Sequence, residues 1–176
     1  GETLAAKGVF LGAADIGQLA AAGLSKIPVF QPLQIALMST GDELVKLSDS
    51  RKVGQIFDSN RPMLAALCHQ QGAQITDYGI IRDDQVRLTS AWQEALDHCD
   101  VIISSGGASD GVEDHTQAAL KACEAECLFW RLAMKPGRPM AVGKKRHQFI
   151  FCLPGNPVAA FVCFRLLVRP VPVSYT

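Results

Sequence analysis

Acidic side chains that suit a divalent cation occur in three separate segments of the chain. Glu43 lies in STGDEL, Asp83 and Asp84 follow GIIR, and Asp114 ends SSGGASDGVED. Carboxylates near a bound phosphate are typical ligands of Mg²⁺. At Asp84 a helix N-cap is the preferred interpretation. Glu43 and Asp114 instead follow glycines in loops, which favours a functional role.

Four glycine- or proline-containing loops accompany these acids. They are STGDEL (39–44), SSGGASDGVED (104–114), MKPGRP (134–139) and LPGNP (153–157). Glycine lets backbone N–H groups approach a ligand with no Cβ in the way. Lys135 and Arg138 flank the turn in KPGRP, and Arg131 precedes it by four residues, so cations are available for an oxyanion. One such loop indicates only a turn, but four at one sheet edge would predict an anion site.

The elements that must position these loops alternate between strands and helices. Short apolar runs predict strands at 33–39, 73–81 and 100–104, followed by 126–134 and a possible hairpin of 138–142 with 147–153. Helices are predicted from an N-cap at Ser59 to a stop at Gly72, within 83–99, after Asp114, and from Asn156 to about Val168. This order predicts a three-layer α/β/α domain with a mostly parallel, mixed sheet. Ligands of such sheets collect at the carboxyl ends of the strands.

Composition narrows the class of protein. The 176 residues are 48% hydrophobic, and 17 basic residues balance 17 acidic ones, so no global field favours nucleic acid or an anionic membrane. No apolar run is long enough to cross a bilayer and no signal peptide is evident, so we expect the cytoplasm. We interpret 1–31 as a linker or the remnant of a preceding region, 32–170 as the domain and 171–176 as a tail.

Cysteine and histidine give no strong metal or nucleophile pattern. The six cysteines never form a CxxC pair and predict buried free thiols. Cys123 and Cys127 can share a helical face with His115 upstream, but four soft ligands at zinc spacing are missing. The other histidines are expected to be solvated or in the core.

The motifs STGDEL, GQIFDSN, GIIRDD, SSGGASDGVED, KPGRP and LPGNP, in this order, resemble the molybdopterin-binding domain of the molybdopterin molybdenumtransferase family, to which the gephyrin and plant Cnx E domains are related. The resemblance covers about residues 1–170. It implies insertion of molybdate into adenylylated molybdopterin with release of AMP, with Mg²⁺ as the cation.

The resemblance also implies roles for individual residues. Glu43, Asp83 and Asp114 are the implied catalytic and Mg²⁺-binding acids. The residues implied to bind the pterin, its phosphate or molybdate are Thr40, Gly41, Ser105, Gly106, Gly107, Ser109, Arg131, Lys135, Arg138, Pro154 and Pro157. The sequence departs from the family at Asp110, in place of a small apolar residue, and at Arg131, in place of lysine.

Family members have further domains and form dimers. The resemblance therefore implies a homodimer in the full-length protein, a molybdopterin adenylyltransferase as a possible partner, and low turnover by the domain alone. Two other functions stay open. One is a molybdopterin adenylyltransferase, whose sequences lack KPGRP and LPGNP. The other is a non-catalytic assembly domain that binds a partner peptide.

Overall fold

The computed structural model of the chain describes residues 3–106 and 112–171, without the side chains of 112–114. The strands are β1 Gln34–Thr40, β2 Leu44–Val45, β3 Ile56–Phe57, β4 Gln74–Ile81, β5 Val101–Gly106, β6 Glu126–Trp130, β7 Ala141–Lys145 and β8 Gln148–Leu153. The helices are α1 Ala13–Ala21, α2 Asn60–His69, α3 Gln85–His98, α4 Val112–Ala122 and α5 Pro157–Cys163, which a π-helical segment, Phe164–Val168, extends.

Six strands form one mixed sheet in the order β4-β1-β5-β8-β7-β6. The first four are parallel, and β7 is antiparallel to both of its neighbours, so β6 runs in the same direction as β8. The carboxyl ends of five strands therefore lie at one edge, which confirms the predicted mostly parallel sheet. A separate two-stranded sheet pairs β2 with β3.

Helices cover both faces of the large sheet, as expected for three layers. Along β1, Leu37 packs with Leu64 of α2 and the α5 side, whereas Met38 packs with Trp92 of α3 and Leu120 of α4. This alternation follows from the period of two along a strand. Both faces of the central strands β1, β5 and β8 are therefore largely buried, which directs a ligand to the edge where these strands end.

Two predicted helix caps have different outcomes. Asp84 caps α3 as predicted, because its Oδ1 accepts the Arg87 N–H at 2.8 Å. Ser59 occupies the N-cap position of α2 as predicted, but its side chain makes no capping bond, and Asp58 Oδ1 accepts the Arg61 N–H at 3.2 Å instead. Asp58 takes this role because its carboxylate is already held inside the fold by the Ser39 hydroxyl, at 2.9 Å.

Several element boundaries differ from the expectation. The strand predicted at 126–134 ends at Trp130, where Arg131 adopts φ 64° and turns the chain. The strand predicted at 138–142 is displaced to Ala141–Lys145, because residues up to Met140 still belong to the preceding turn. The last helix reaches Val168 as predicted, but its final part is π-helical. The two-residue strands β2 and β3 were not expected.

Candidate functional site

The loops that follow four parallel strands begin side by side at one edge of the sheet. In the pairing of the strands, Thr40 of β1 lies opposite both Ile81 of β4 and Gly106 of β5, and Ser105 lies opposite Leu153 of β8. The segments 41–44, 82–84 and 154–157, together with the start of the 104–114 loop, are neighbours for this reason. The edge expected from the sequence is therefore present.

Gly106 marks the closest approach of two of these loops. Its φ is +105°, and a Cβ placed there would collide with the backbone oxygen of Thr40. Gly155 lies close by, because a Cβ on it would meet the Gly106 Cα at 3.6 Å. Bare backbone from β5 and from the loop after β8 thus lies side by side, as an anion-binding loop requires.

Asn60 joins these loops, and it was not among the site residues predicted from the sequence. Its Nδ2 donates to the Ser105 hydroxyl at 2.7 Å and to the Gly155 carbonyl at 2.8 Å. The Ser105 hydroxyl donates in turn to the Pro154 carbonyl at 3.4 Å. Asn60 lies in GQIFDSN, so the only signal for it was that motif.

Most of the predicted ligand-binding residues of these loops are buried. Thr40 is 4% exposed, Ser105 is 1% exposed, and Gly41 and Pro154 are also buried. Pro157 is exposed at the first position of α5. Their backbones line the edge, and their contact with a ligand stays a prediction.

Acidic groups from two loops lie together at the same edge. The Glu43 carboxyl folds back over Gly41, since a Cβ on that glycine would lie 2.7 Å from Glu43 Oε2. The Asp83 N–H lies 3.4 Å from Asp42 Oδ1. Partial burial of Asp83, and then the negative charges of Asp42 and Glu43, raise the pKa of the Asp83 carboxyl. The structure thus places the carboxylates of Glu43 and Asp83 near each other, and Asp42 is a third residue of this acidic cluster.

A hydrogen bond with the Asp42 backbone, and then His115 in α4, oppose this rise in the pKa of Asp83. The His115 imidazole lies near enough to lower the pKa of Asp83, although desolvation and the two carboxylates outweigh it. Asp83 Oδ1 and His115 Nδ1 are both buried and have no hydrogen-bond partner in the described part of the chain. Sequence reasoning had linked His115 only to distant cysteines, so this proximity of helix and loop was missed.

The donor set fits Mg²⁺ in its chemistry. Carboxylate oxygens are hard ligands, and the unpartnered Asp83 Oδ1 lies where negative charge is concentrated. Among the described side chains, which leave out those of 112–114, however, no three His, Cys, Asp or Glu residues could hold a metal by themselves. Two carboxylates together with phosphate oxygens of a substrate are the usual arrangement for this ion.

Three predicted site residues lie beyond what the structure describes. Gly107 and Ser109 fall in the segment 107–111, and Asp114 belongs to α4 but its side chain is outside the described atoms. The departure at Asp110 also falls there. Their roles stay predictions.

The predicted cations belong to the turn that connects β6 to β7. Arg131 N–H donates to the Met140 carbonyl at 2.8 Å, which closes the base of the turn at the carboxyl edge of the sheet. Gly137 packs against Cys163 of α5, and Lys135 and Arg138 are exposed. That these cations meet the carboxylates in one pocket stays a prediction.

The prediction that the cysteines are buried free thiols is confirmed, except that Cys127 is not buried. All six thiols are free; Cys127 is exposed, and the buried ones are Cys68, Cys99, Cys123, Cys152 and Cys163. Separately, no helix in the described ranges combines the length and apolar character needed to cross a membrane.

Comparison with protein families gives the class to which this fold and edge belong. The sequence pattern of the family described as "Probable molybdopterin binding domain" matches residues 36–172. The match extends from β1 to beyond the last helix and covers well over half of the chain. The chain therefore belongs to the molybdopterin-binding domain family, and the resemblance inferred from the motifs is confirmed.

Individual relatives are molybdopterin molybdenumtransferases. The enzyme of Haemophilus influenzae is 34% identical over 171 residues, which are 97% of this chain and 42% of that protein. The enzyme of Nostoc sp. is 38% identical over 164 residues, 92% of this chain and 38% of that protein. The chain thus spans about two fifths of the length of these curated relatives.

A solved structure agrees in fold. The molybdopterin biosynthesis MoeA protein from Pyrococcus horikosii superposes with a TM-score of 0.85 at 32% identity, over 97% of this chain and 42% of that one. The α/β architecture with a mixed sheet is common to both.

Proposed function

We propose that the chain acts in molybdenum cofactor biosynthesis, as the domain that binds adenylylated molybdopterin and molybdate when molybdate is inserted and AMP is released. One observation carries this proposal: the carboxylates of Glu43 and Asp83 lie at the sheet edge where the bare backbones of Gly106 and Gly155 meet. The family and the names of its relatives supply the identity of the ligands.

The backbone of the exit loops receives the phosphate-bearing part of the substrate. Gly106 and Gly155 have no side chains that would keep an anion away, and the main chain at Thr40 and Gly41 borders the same place. Ser105 and Pro154 hold the loops in position, because the Ser105 hydroxyl bonds to the Pro154 carbonyl. Gly107 and Ser109, which follow Gly106 in the sequence, are proposed to bind the same phosphate-bearing part of the substrate.

Glu43, Asp83 and Asp114 hold Mg²⁺ together with phosphate oxygens of the substrate. When bound, this ion would supply positive charge against the negative charge that develops as an oxygen of water or molybdate attacks the phosphoanhydride and AMP leaves. Glu43 and Asp83 contribute the carboxylates, and His115 limits the build-up of negative charge around Asp83. A cation bound here would lower the pKa of Asp83, which burial and then the charges of Asp42 and Glu43 raise.

Molybdate is a tetrahedral dianion and needs positive partners. Lys135 and Arg138 present exposed cations on a turn that is anchored by the packing of Gly137 against Cys163. Arg131 lies at the base of the same turn. We propose that these three residues hold molybdate beside the pterin dithiolene, which then binds the metal.

The full-length protein would act as a cytoplasmic homodimer, with a molybdopterin adenylyltransferase as the enzyme that hands over the substrate. Neither nucleic acid nor a membrane is needed for this chemistry. These proposals follow the family, because the chain corresponds to only part of its relatives.

A single-turnover assay tests the function. The chain is mixed with adenylylated molybdopterin, molybdate and Mg²⁺, and AMP release and molybdenum bound to the pterin are measured together. We expect both products with wild type, a strong loss with Glu43→Gln, and no loss with Glu126→Gln. Glu126 is an exposed glutamate at the first position of β6, at the opposite edge of the sheet.

Two results would assign a different function. Transfer of AMP from ATP to molybdopterin would identify an adenylyltransferase. Binding of a partner peptide without affinity for pterin or molybdate would identify an assembly domain.

A further inference from the structure

The side-chain amide of Asn60 is the most constrained polar group at the sheet edge outside the acidic cluster. Asn60 is the first residue of α2 and is 7% exposed. Its Nδ2 contacts two strand-exit loops, through the Ser105 hydroxyl at 2.7 Å and the Gly155 carbonyl at 2.8 Å. The Pro154 carbonyl lies somewhat farther away, at 3.5 Å.

These partners fix the orientation of the amide. The Gly155 and Pro154 carbonyl oxygens only accept hydrogen bonds, so the NH₂ end must face them. The opposite orientation would place two oxygens in contact without a proton between them. Oδ1 is therefore the free end of the amide.

Oδ1 has no hydrogen-bond partner within the described residues, although it is buried. Folded chains rarely leave a buried amide oxygen unpaired, and each exception calls for a reason such as an absent ligand. By amide geometry Oδ1 lies about 2.3 Å from Nδ2. It is thus at the same junction of loops where Gly106 and Gly155 meet.

The chemistry of Oδ1 determines what it can bind. A carbonyl oxygen is an acceptor, so it repels phosphate and molybdate oxygens and requires an N–H or O–H donor. A pterin carries N–H donors on its pyrimidine ring, whereas the AMP part offers ribose hydroxyls. When the phosphate of the substrate lies on these loops, the planar pterin ring that is joined to it also lies there. The N–H groups of the ring are then held at a fixed position.

We propose that Asn60 Oδ1 accepts a hydrogen bond from a pyrimidine N–H of the bound pterin. This rests on the proposed function, because the ligand is taken from it. Asn60 then has two tasks with one group: Nδ2 holds the loops after β5 and β8 together, and Oδ1 recognises the ring that lies on them.

Asparagine-selective labelling tests the contact directly. Asn60 and Asn156 are the two asparagines of the sequence, so [¹³Cγ, ¹⁵Nδ2]-asparagine gives two side-chain signals, which Asn60→Ala assigns. Asn156 Oδ1 already accepts the Ala159 N–H at 3.1 Å and serves as the reference. The probes are molybdopterin under anaerobic conditions and, separately, AMP.

We expect saturating molybdopterin to move the Asn60 Cγ resonance downfield, as for a carbonyl that gains a donor, with a much smaller change at Asn156. AMP should not move the Asn60 Cγ resonance. Molybdopterin that binds, by equilibrium dialysis, without moving this resonance would overturn the inference and leave the proposed function intact. A downfield shift with AMP would also overturn it, because the donor would then be a ribose hydroxyl. Failure of the wild type to retain molybdopterin in dialysis would instead refute the proposed function.

Discussion

The backbone oxygen of Thr40 lies so close to Gly106 that no side chain fits on that residue. The two residues face each other across β1 and β5, at the last pair before both strands enter their loops. Glycine at this position therefore serves the approach of two main chains as well as the positive φ of +105°. Because no side chain fits at Gly106, main-chain atoms line this part of the sheet edge.

Gly106→Ala should destabilise the domain by about 3 kcal/mol, because the new Cβ meets backbone that cannot move away. The control is Gly54→Ala, where φ is +83° but a Cβ meets nothing within 4 Å. Gly54→Ala should lower the free energy of unfolding by only about 1 kcal/mol, because the left-handed backbone conformation is its only source of strain. Urea unfolding measures both, and equal losses would show that the Thr40 contact is unimportant.

Asp83 should make stability depend on pH in an unusual direction. Burial, then Asp42 and Glu43, raise its pKa above the ordinary 3.8 in the folded chain. The folded state then binds more protons than the unfolded state between 3.8 and the raised value, so this contribution to stability falls as the pH rises through that window. Above the window the penalty is constant.

Asp83→Asn removes that penalty. The variant should unfold at a higher temperature than wild type at neutral pH, and the difference should vanish below about pH 3.8. Thermal unfolding followed across this range measures it, with Asp97→Asn on the exposed part of α3 as the control. A wild type that is more stable than Asp83→Asn at neutral pH without divalent cations would contradict the raised pKa.

Asp58 should be among the most important polar groups for folding. Its 2% exposed carboxylate accepts hydrogen bonds from the Ser39 hydroxyl and from the backbone and side chain of Arg61. Asp58→Ala should cost about 3 kcal/mol, because the arginine and hydroxyl lose a buried partner. Asp77 also contacts Arg61 but is 54% exposed, so Asp77→Ala should cost less than about 1 kcal/mol. Chemical denaturation measures the free energy of unfolding of both variants. Similar losses of stability would be inconsistent with the difference in burial between Asp58 and Asp77.

Thiol reactivity should distinguish Cys127 from the other cysteines. Burial raises the pKa of the Cys68 thiol to about 12 and also raises the pKa of Cys152 and of Cys127, but Cys127 alone among the six cysteines is exposed to a reagent. One thiol per chain should therefore react quickly with a disulfide reagent in the native state, and Cys127→Ser should abolish that phase. Fast modification that survives this substitution would indicate that the core opens readily.

The sequence was informative where a local pattern determines the structure. Apolar runs followed by turn residues predicted strand ends at Ser39, Ser104 and Leu153, within two residues of the observed ends, and because parallel strands share an edge their loops had to be neighbours. The helix predicted within 83–99 is likewise present, as α3 Gln85–His98. Neither inference requires contacts distant in the chain.

Features that depend on distant contacts were not predictable in this way. Asn60 meets groups 45 and 95 residues away, and a polar residue next to a helix start looks like part of a cap. The same applies to His115, whose neighbour Asp83 comes from another loop. A local rule also cannot show that the buried Asp58, and not Ser59, supplies the side chain that caps α2. Strands of two residues, such as Leu44–Val45, are too short to show any period.

Binding of Mg²⁺ in the presence of adenylylated molybdopterin tests the central claim most directly, that Glu43 and Asp83 hold a cation beside the phosphate of the substrate. Isothermal titration should show Mg²⁺ binding to wild type with the substrate present, weakened about tenfold or more in Glu43→Gln and in Asp83→Asn, and unchanged in Glu126→Gln. Equal Mg²⁺ affinity in wild type and in both edge variants would contradict the account.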